Sequence, residues 1–397
     1  MTYVTLLICG QVAADTGPEQ DEFLGGPDSV GWGLESDADL EMLGHFERWM
    51  ALKDRLREVS GFDFGLDYAA LYQQANSSPF GDDHAASGVL RLYGKWTALG
   101  HGTQDTGKLV WKVEHRHQIG ENNISPSSLA GNLGYVGVTG ISFNDAGGFL
   151  GPLYWEQMFR RENSTIGFVL GRLDPLDFVD ISGYSSQWRR FQNPSTAANS
   201  ALFFPDLGFG AGAGFTSNDQ WAFGATIHDA NGQQNEYDFF GGGSEFYTTG
   251  YVSWAPSRKQ RFEREIHLTA WHVDERTDRG SPDGWGLSFA ANWLTGNCMP
   301  FLRLGWSEGG AARADKAIVF GTLYRPGNNI GEIGLAWNWE SMSNDALGEQ
   351  QVVEAFLRWE PTENIEITPS FQLLIDPALN PDENLVPLFG LRTRITF

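Results

Sequence analysis

Arginines, lysines and carboxylates recur at alternate positions in segments whose intervening residues are apolar. In Val89-Leu-Arg-Leu-Tyr-Gly-Lys-Trp96, Arg91, Tyr93 and Lys95 share one face and Leu90, Leu92 and Trp96 the other, which is the period of a β-strand. The same alternation sets Lys112, Glu114 and Arg116 on one face, and likewise Glu156 with Arg160, Glu265 with His267, and Glu332 with Asn338 and Glu340. It also sets out Arg303, Glu354 with Arg358, Glu366 with Ser370 and Gln372, and Arg392 with Arg394. Such a surface offers forked donors and paired acceptors, so its chemistry is recognition by hydrogen bonding. Intermixed signs suit a neutral, polyhydroxylated solute better than an ion, which a constriction of one sign would favour.

Strand midpoints place Arg91, Lys112, Glu114, Glu156, Arg303 and Arg392 at about one depth, with Arg116 beside them. An aromatic and basic stretch, Phe178, Tyr184, Trp188, Arg189, Arg190 and Phe191, lies in a long connection and could stack sugar rings. The expected selectivity ring is therefore those seven wall residues and Trp188. Arginine should weigh most, because its planar fork donates two bonds to vicinal hydroxyls.

Motifs for reaction chemistry fail on context. Gly305-Trp-Ser-Glu-Gly309 matches a nucleophile elbow, but no helix signal follows it. Gly208-Phe-Gly-Ala-Gly-Ala213 matches a dinucleotide fingerprint loosely, yet lies within a strand pattern. His115 and His117 share a strand face, but parity turns them outward. The sequence predicts no catalytic residue, metal or cofactor.

Positioning this wall takes strands of about ten residues, the length that crosses a bilayer when tilted. Sixteen are predicted: 62–72, 87–97, 108–118, 152–160, 165–173, 207–215, 220–229, 246–255, 264–273, 284–294, 300–308, 316–325, 330–340, 351–360, 364–374 and 386–397. Connections alternate between short, such as Arg161-Glu-Asn-Ser164, and long, above all 119–151, 174–206 and 230–245. With a periplasmic start, short turns fall on the periplasmic side and long loops outside, the asymmetry of outer-membrane barrels. The last strand sets Phe389, Leu391, Ile395 and Phe397 against Arg392 and Arg394, one face for lipid and one for water. Trp285 and Trp293 span about 20 Å on one face, close to the apolar band. Trp96, Trp254 and Trp359 fall at periplasmic ends and Trp306 and Trp339 at outer ends, as two interfacial girdles require. The fold predicted is an all-β transmembrane barrel of sixteen antiparallel strands with a short N-terminal helical segment. Gly208, Gly210, Gly212 and Gly214 share an inward face, which is expected to leave room for a loop folded into the lumen.

Composition agrees. The chain has 397 residues, 41% hydrophobic and 13% aromatic, and no run of 18 apolar residues. A net charge of −23 argues against nucleic acid as a partner. Two cysteines, Cys9 and Cys298, supply no disulfide framework. Residues 1–14 read as the remnant of a signal peptide, ending at Val12-Ala-Ala14, and 15–60 as an acidic N-terminal segment. Nine acidic and no basic residues lie between Asp15 and Glu41. The stretch from Asp15 to Gly33 is expected to be flexible. From Ser36, with Ser36-Asp-Ala-Asp39 as capping box, an amphipathic helix is predicted up to Ser60. It could plug or brace the periplasmic mouth, or pair with another chain. The barrel takes residues 61–397.

The C-terminal region resembles the carbohydrate-selective porin family OprB. The resemblance is carried by Glu354-Ala-Phe-Leu-Arg-Trp359, Ile367-Thr-Pro-Ser-Phe-Gln-Leu-Leu-Ile-Asp-Pro-Ala-Leu-Asn-Pro381, Phe389-Gly-Leu-Arg392 and the terminal Phe397, with Gly171-Arg-Leu-Asp-Pro175 and Phe301-Leu-Arg-Leu-Gly-Trp306 as further segments. It implies a monomeric outer-membrane barrel, surrounded by lipid and lipopolysaccharide, that passes glucose-like sugars through a constriction of arginines, acids and aromatics. The alternative is a general or anion-preferring porin whose mixed wall is incidental. A barrel enzyme or an anchor using the N-terminal helix is a more distant reading.

Overall fold

In the computed structural model the described residues are 25–37, 47–121, 123–237, 243–327 and 330–397. The leader read at 1–14, the acidic run up to Leu24 and the 38–46 part of the predicted helix lie outside them. Sixteen strands follow in order: β1 (Phe62–Ala75), β2 (His84–Leu99), β3 (Thr106–Gln118), β4 (Gly147–Arg161), β5 (Ser164–Leu173), β6 (Gly208–Ser217), β7 (Trp221–Asp229) and β8 (Phe246–Trp254). The second half comprises β9 (Arg264–Val273), β10 (Gly284–Trp293), β11 (Cys298–Glu308), β12 (Ala314–Tyr324), β13 (Ile330–Met342), β14 (Glu349–Thr362), β15 (Ile365–Ile375) and β16 (Leu385–Thr396). Each pairs antiparallel with its neighbours in sequence, and β16 closes on β1 with Tyr68 opposite Ile395 and Leu71 opposite Arg392. Closure removes every sheet edge, which is what lipid requires of a β-structure.

Period-two alternation turns Leu90, Leu92, Ile166, Phe168, Leu335, Phe389 and Leu391 outward, where all are exposed, while Arg91, Glu114, Glu354 and Arg392 are buried within. Apolar outside and charged inside is the inverse of a soluble protein and the mark of a membrane barrel. Trp254 stacks near Trp293 at the short-turn end, with ring centroids 6.1 Å apart, and Trp285 meets Trp306 edge-on at 4.8 Å at the other end. These are the two girdles. All sixteen predicted strands are present. The largest boundary error is at β4, which starts at Gly147 rather than 152. There Gly151 and Pro152 form a bulge opposite Lys112, so parity read back from 152 breaks.

Connections 119–146, containing α3 (Pro126–Asn132), and 174–207, containing α4 (Pro194–Ala197), both turn into the barrel. Leu129, Leu133 and Tyr135 pack on Val352, Leu374, Val386 and Leu388, so the first loop roofs the long-loop end. The second crosses the lumen. At the glycine face of β6 a Cβ would first meet the Gly232 backbone at Gly208, His228 at Gly210, and Thr226 and Val169 at Gly212, none of them in this loop. The loop instead needs Gly305 of β11, where a Cβ would stand 2.3 Å from Asn199 Oδ1 and 2.7 Å from the Ala201 Cβ.

The N-terminal region differs most from expectation. Helix α1 (Val30–Asp37) contains Ser36 rather than being capped by it, and α2 (Glu47–Ser60) is a separate element. Residues Gly25–Gly33, expected to be flexible, lie inside the barrel. Val30 and Leu34, one turn apart and each 3% exposed, pack on Tyr93, Val110, Tyr154 and Met158. Burial thus makes a helix of a Gly-containing segment whose propensity alone would not. Helix α2 lies on the outer wall. The Trp49 ring is 5.3 Å from lipid-facing Phe64, and Lys53 Nζ stands 5.8 Å over the same ring.

Candidate functional site

Wall carboxylates and guanidiniums grip the 174–207 loop from opposite sides of the lumen. On one side Arg303 Nε lies 3.1 Å from Asp180 Oδ2, and its Nη atoms donate to the carbonyls of Asp180 and Ala197 and to Ser182 Oγ at 3.0–3.2 Å. His267 Nε2 meets Asp180 Oδ1 at 3.0 Å. On the other side Arg392 Nη1 donates to the carbonyls of Gln187 and Arg190, at 2.7 and 3.0 Å. Glu354 accepts from the backbone N–H of Gln192 and Asn193, Arg190 Nε donates to Glu332, and Arg189 Nε to Glu366, the last two at 2.7 Å. Burial pushes the Asp180 carboxyl up, but Arg303 and His267 outweigh it and hold it below the usual carboxylate range.

The expected ring residues divide into groups. Arg91 binds Asp67 in bidentate fashion, Nε to Oδ1 at 2.7 Å, and its guanidinium lies 3.8 Å from the Trp188 ring centroid. Lys112 Nζ is 3.2 Å from Glu114 Oε1, and Arg116 donates to Glu114 Oε2 at 2.7 Å. Arg91, Lys112 and Trp188 meet around one small cavity, with Glu114 paired across strands with Arg91. Arg392 and Arg303 hold the loop to either side of it. Glu156 stands apart, with Lys108 Nζ 3.4 Å away, and Lys108 lines the cavity at the short-turn end. The loop aromatics serve packing first: Tyr184 stacks on Phe301 at 3.8 Å, Phe191 sits edge-on to Phe301 and Phe356, and Phe178 edge-on to Tyr154. Burial pushes the Tyr184 hydroxyl up to about 12.

Three acids that hold the site were missed in the sequence. Asp67 has the right parity in β1, and the cross-strand register that sets it opposite Arg91 would have identified it. Asp180 is in a loop, where no period exists. Asp28 arrives with the N-terminal segment, accepting from Ser186 Oγ at 2.7 Å and from the Gln187 N–H at 2.8 Å.

Space in the lumen is unevenly distributed. At the short-turn end a cavity of about 950 Å³ is lined by Leu34, Asp63, Lys95, Lys108, Arg160 and Arg258, among others. At the long-loop end about 390 Å³ lies between Phe203, Phe204, Glu236, Arg276 and Arg279. Between them, the void bounded by Asp28, Trp32, Arg91, Lys112 and Trp188 is about 30 Å³, room for little more than one water.

A closed sixteen-strand barrel with a charged lumen, an apolar belt and an inserted loop defines an outer-membrane barrel of the porin class, a channel architecture rather than an enzyme's. Residues 301–397 match the family model described as carbohydrate-selective porin, OprB family, which bears out the resemblance read from Phe301 onward. The high-pH structure of Pseudomonas putida OprB superposes with a TM-score of 0.69 at 12% identity, covering 88% of this chain and 97% of that one. A mutant of Rh. blastica porin gives 0.51 at 12% identity, covering 85% and 100%. Porin AaxA of Chlamydia pneumoniae is 24% identical over 294 residues, 66% of this chain and 65% of its own length. Porin AaxA of Chlamydia felis is 26% identical over 207 residues, 49% of this chain and 43% of its own. The chain therefore spans less than two thirds of either curated relative.

Proposed function

We propose that the chain is a porin for selective, passive diffusion of a neutral saccharide. The observation that carries this reading is charge pairing throughout the lumen. Arg91 and Arg394 share Asp67, Arg394 and Arg189 share Glu366, Lys112 and Arg116 share Glu114, Arg190 and Arg325 share Glu332, and Arg313 binds Glu340. These carboxylates tie up the cationic side chains in contacts within the wall, so the lumen is lined by both signs and presents many fixed donors and acceptors to hydroxyls. The carbohydrate-selective description of the matched family supports the same solute class.

One observation favours the anion-preferring alternative. The short-turn cavity is lined by Arg57, Lys95, Lys108, Arg160, Arg258 and Lys259 against Asp63, Glu162 and Asp219. Planar-bilayer recordings in a salt gradient, with a panel of sugars added, separate the two. The saccharide reading expects weak ion selectivity and current blocked by millimolar sugar. A strongly anion-selective current indifferent to every sugar would replace it with the alternative.

A further inference from the structure

Residues Gly25–Asp37 take the place in the lumen that a solute would need. Asp28 accepts the Ser186 hydroxyl and the Gln187 N–H, donors that the inserted loop would otherwise offer to a hydroxyl. Its neighbours Arg91, Lys112, Arg189 and Arg394 line the same small void. Val30 and Leu34 press against Tyr93, and Gly33 lies so close that a Cβ would be 3.2 Å from the Tyr93 ring. Trp32 meets Phe262 edge-on at 5.7 Å. The strap thus gives the wall what a sugar would give it, acceptors to its donors and apolar surface to its aromatic rings.

The strap joins no strand among the described residues; its ties to the inserted loop include the Asp28 bonds and Gly26 N–H to the Asp177 carbonyl at 3.0 Å, and Val30 and Leu34 seat it by packing. A segment seated this way can leave as a unit without breaking the barrel ladder.

We propose that Gly25–Asp37 is an intramolecular plug seated in the solute's own place, so that strap and saccharide exclude one another and the channel conducts only while the strap is withdrawn. The competition with saccharide rests on the function proposed above; the plug itself does not. The test is single-channel recording of the full chain as wild type, as Val30→Asp/Leu34→Asp, which removes the apolar seat, and as Asp28→Ala, which removes the polar one. Thiol labelling of Ser29→Cys by a membrane-impermeant reagent is measured in parallel, against a wild-type control for the native cysteines. The plug expects a mostly closed wild type, severalfold higher mean conductance in the double variant and a smaller rise in Asp28→Ala. It also expects faster Ser29→Cys labelling when saturating sugar is present, because sugar holds the site the strap vacates. If the double variant does not assemble, Asp28→Ala alone decides. Wild-type conductance in both variants, with Ser29→Cys labelled equally fast in each background, overturns the plug. Raised conductance with sugar inert in both assays keeps the plug and sinks the saccharide reading.

Discussion

Arg303 reaches from β11 across the lumen to Asp180, its Nε 3.1 Å from the carboxylate and an Nη 3.0 Å from the same residue's carbonyl, with both side chains 1% exposed. One guanidinium thereby fixes both the side chain and the backbone of the inserted loop. Arg303→Ala would leave Asp180 buried with its His267 Nε2 contact but without the guanidinium, and loss of one member of a buried pair costs on the order of 3–5 kcal/mol. The cost falls on the loop and not on the strand ladder. Expected outcomes are higher and noisier ion conductance, weaker sugar block and new proteolysis within 174–207, with the heat-modifiable gel mobility of an intact barrel. Arg303→Lys keeps the charge without the fork and should fall between. Unchanged loop proteolysis in Arg303→Ala would show that the loop is held elsewhere.

Arg91 makes a different kind of contact. Its guanidinium is clamped by Asp67 and sits over Trp188, 3.8 Å from the ring centroid, a desolvated cation–π pair of about 2 kcal/mol. Arg91→Ala and Trp188→Ala should each reduce sugar block severalfold, and the double variant should lose little more than either alone, since each removes the same contact. Fully additive losses, measured as the shift in half-blocking sugar concentration, would place the two residues at separate steps of permeation.

Gly305 offers a steric test. Its absent Cβ leaves room for Asn199, whose Nδ2 donates to Ser288 Oγ at 2.8 Å, and for Ala201. Gly305→Val should push the loop off β11 and raise conductance. Gly212→Ala, where the nearest atoms stand at 3.2 Å and belong to Thr226 and Val169, should leave current unchanged. Equal effects from the two would mean that the loop does not rely on that glycine.

Strand count and facing were legible because lipid on one side and charge on the other impose a period of two, as in Leu90, Arg91, Leu92 and Tyr93. What needs a third dimension was not. The Asp67–Arg91 pair depends on register between β1 and β2, which the period of one strand does not contain. The β4 bulge at Gly151–Pro152 adds a residue and reverses parity. Asp180 and Asp28 sit in segments without a repeat, so only their contacts reveal them. Helix α1 was read as loop because its two apolar anchors, Val30 and Leu34, stand among polar residues and glycines and acquire meaning only against Tyr93 and Tyr154. Glycines depend on contacts in the same way: four on one face suggested room for the loop, whereas an added Cβ meets the loop at Gly305.

Helix α2 carries a prediction about lipid. At about 100° per residue, Trp49, Lys53 and Ser60 face the wall, while Leu52 and Val59 share one flank and Asp54 and Arg57 the other. Arg57 lines the short-turn cavity, so the Leu52–Val59 flank, 47% and 76% exposed, faces away from it. An amphipathic helix placed so lies in the headgroup region. With Cys9 and Cys298 replaced by serine, a bimane probe on Val59→Cys should emit to the blue and be quenched by brominated phospholipid, whereas one on Glu58→Cys should not. Quenching of neither would put the helix in water.

The acids around the strap make closure depend on pH. Burial raises the Asp28 carboxyl above its usual value against the bonds from Ser186 and Gln187 and the charges of Arg91 and Lys112. Asp177 is raised further, by burial and by Asp174, Asp28 and Glu114, with Lys112 opposing. A carboxyl whose pKa is higher with the strap seated holds its proton more tightly there than when the strap is out, so protons favour seating. That contribution is complete below the ordinary aspartate value of about 3.9 and is lost as pH climbs through the raised values. Arg91 and Lys112 stay charged throughout, so the carboxyls set the direction. Mean conductance should therefore rise as pH climbs from the ordinary aspartate value through the raised values of these two carboxyls. Asp177→Asn, which keeps the shape and cannot ionise, should flatten the rise and keep the channel more closed at the upper end. A conductance that falls with pH, or an Asp177→Asn profile identical to wild type, would show that these acids do not govern the strap.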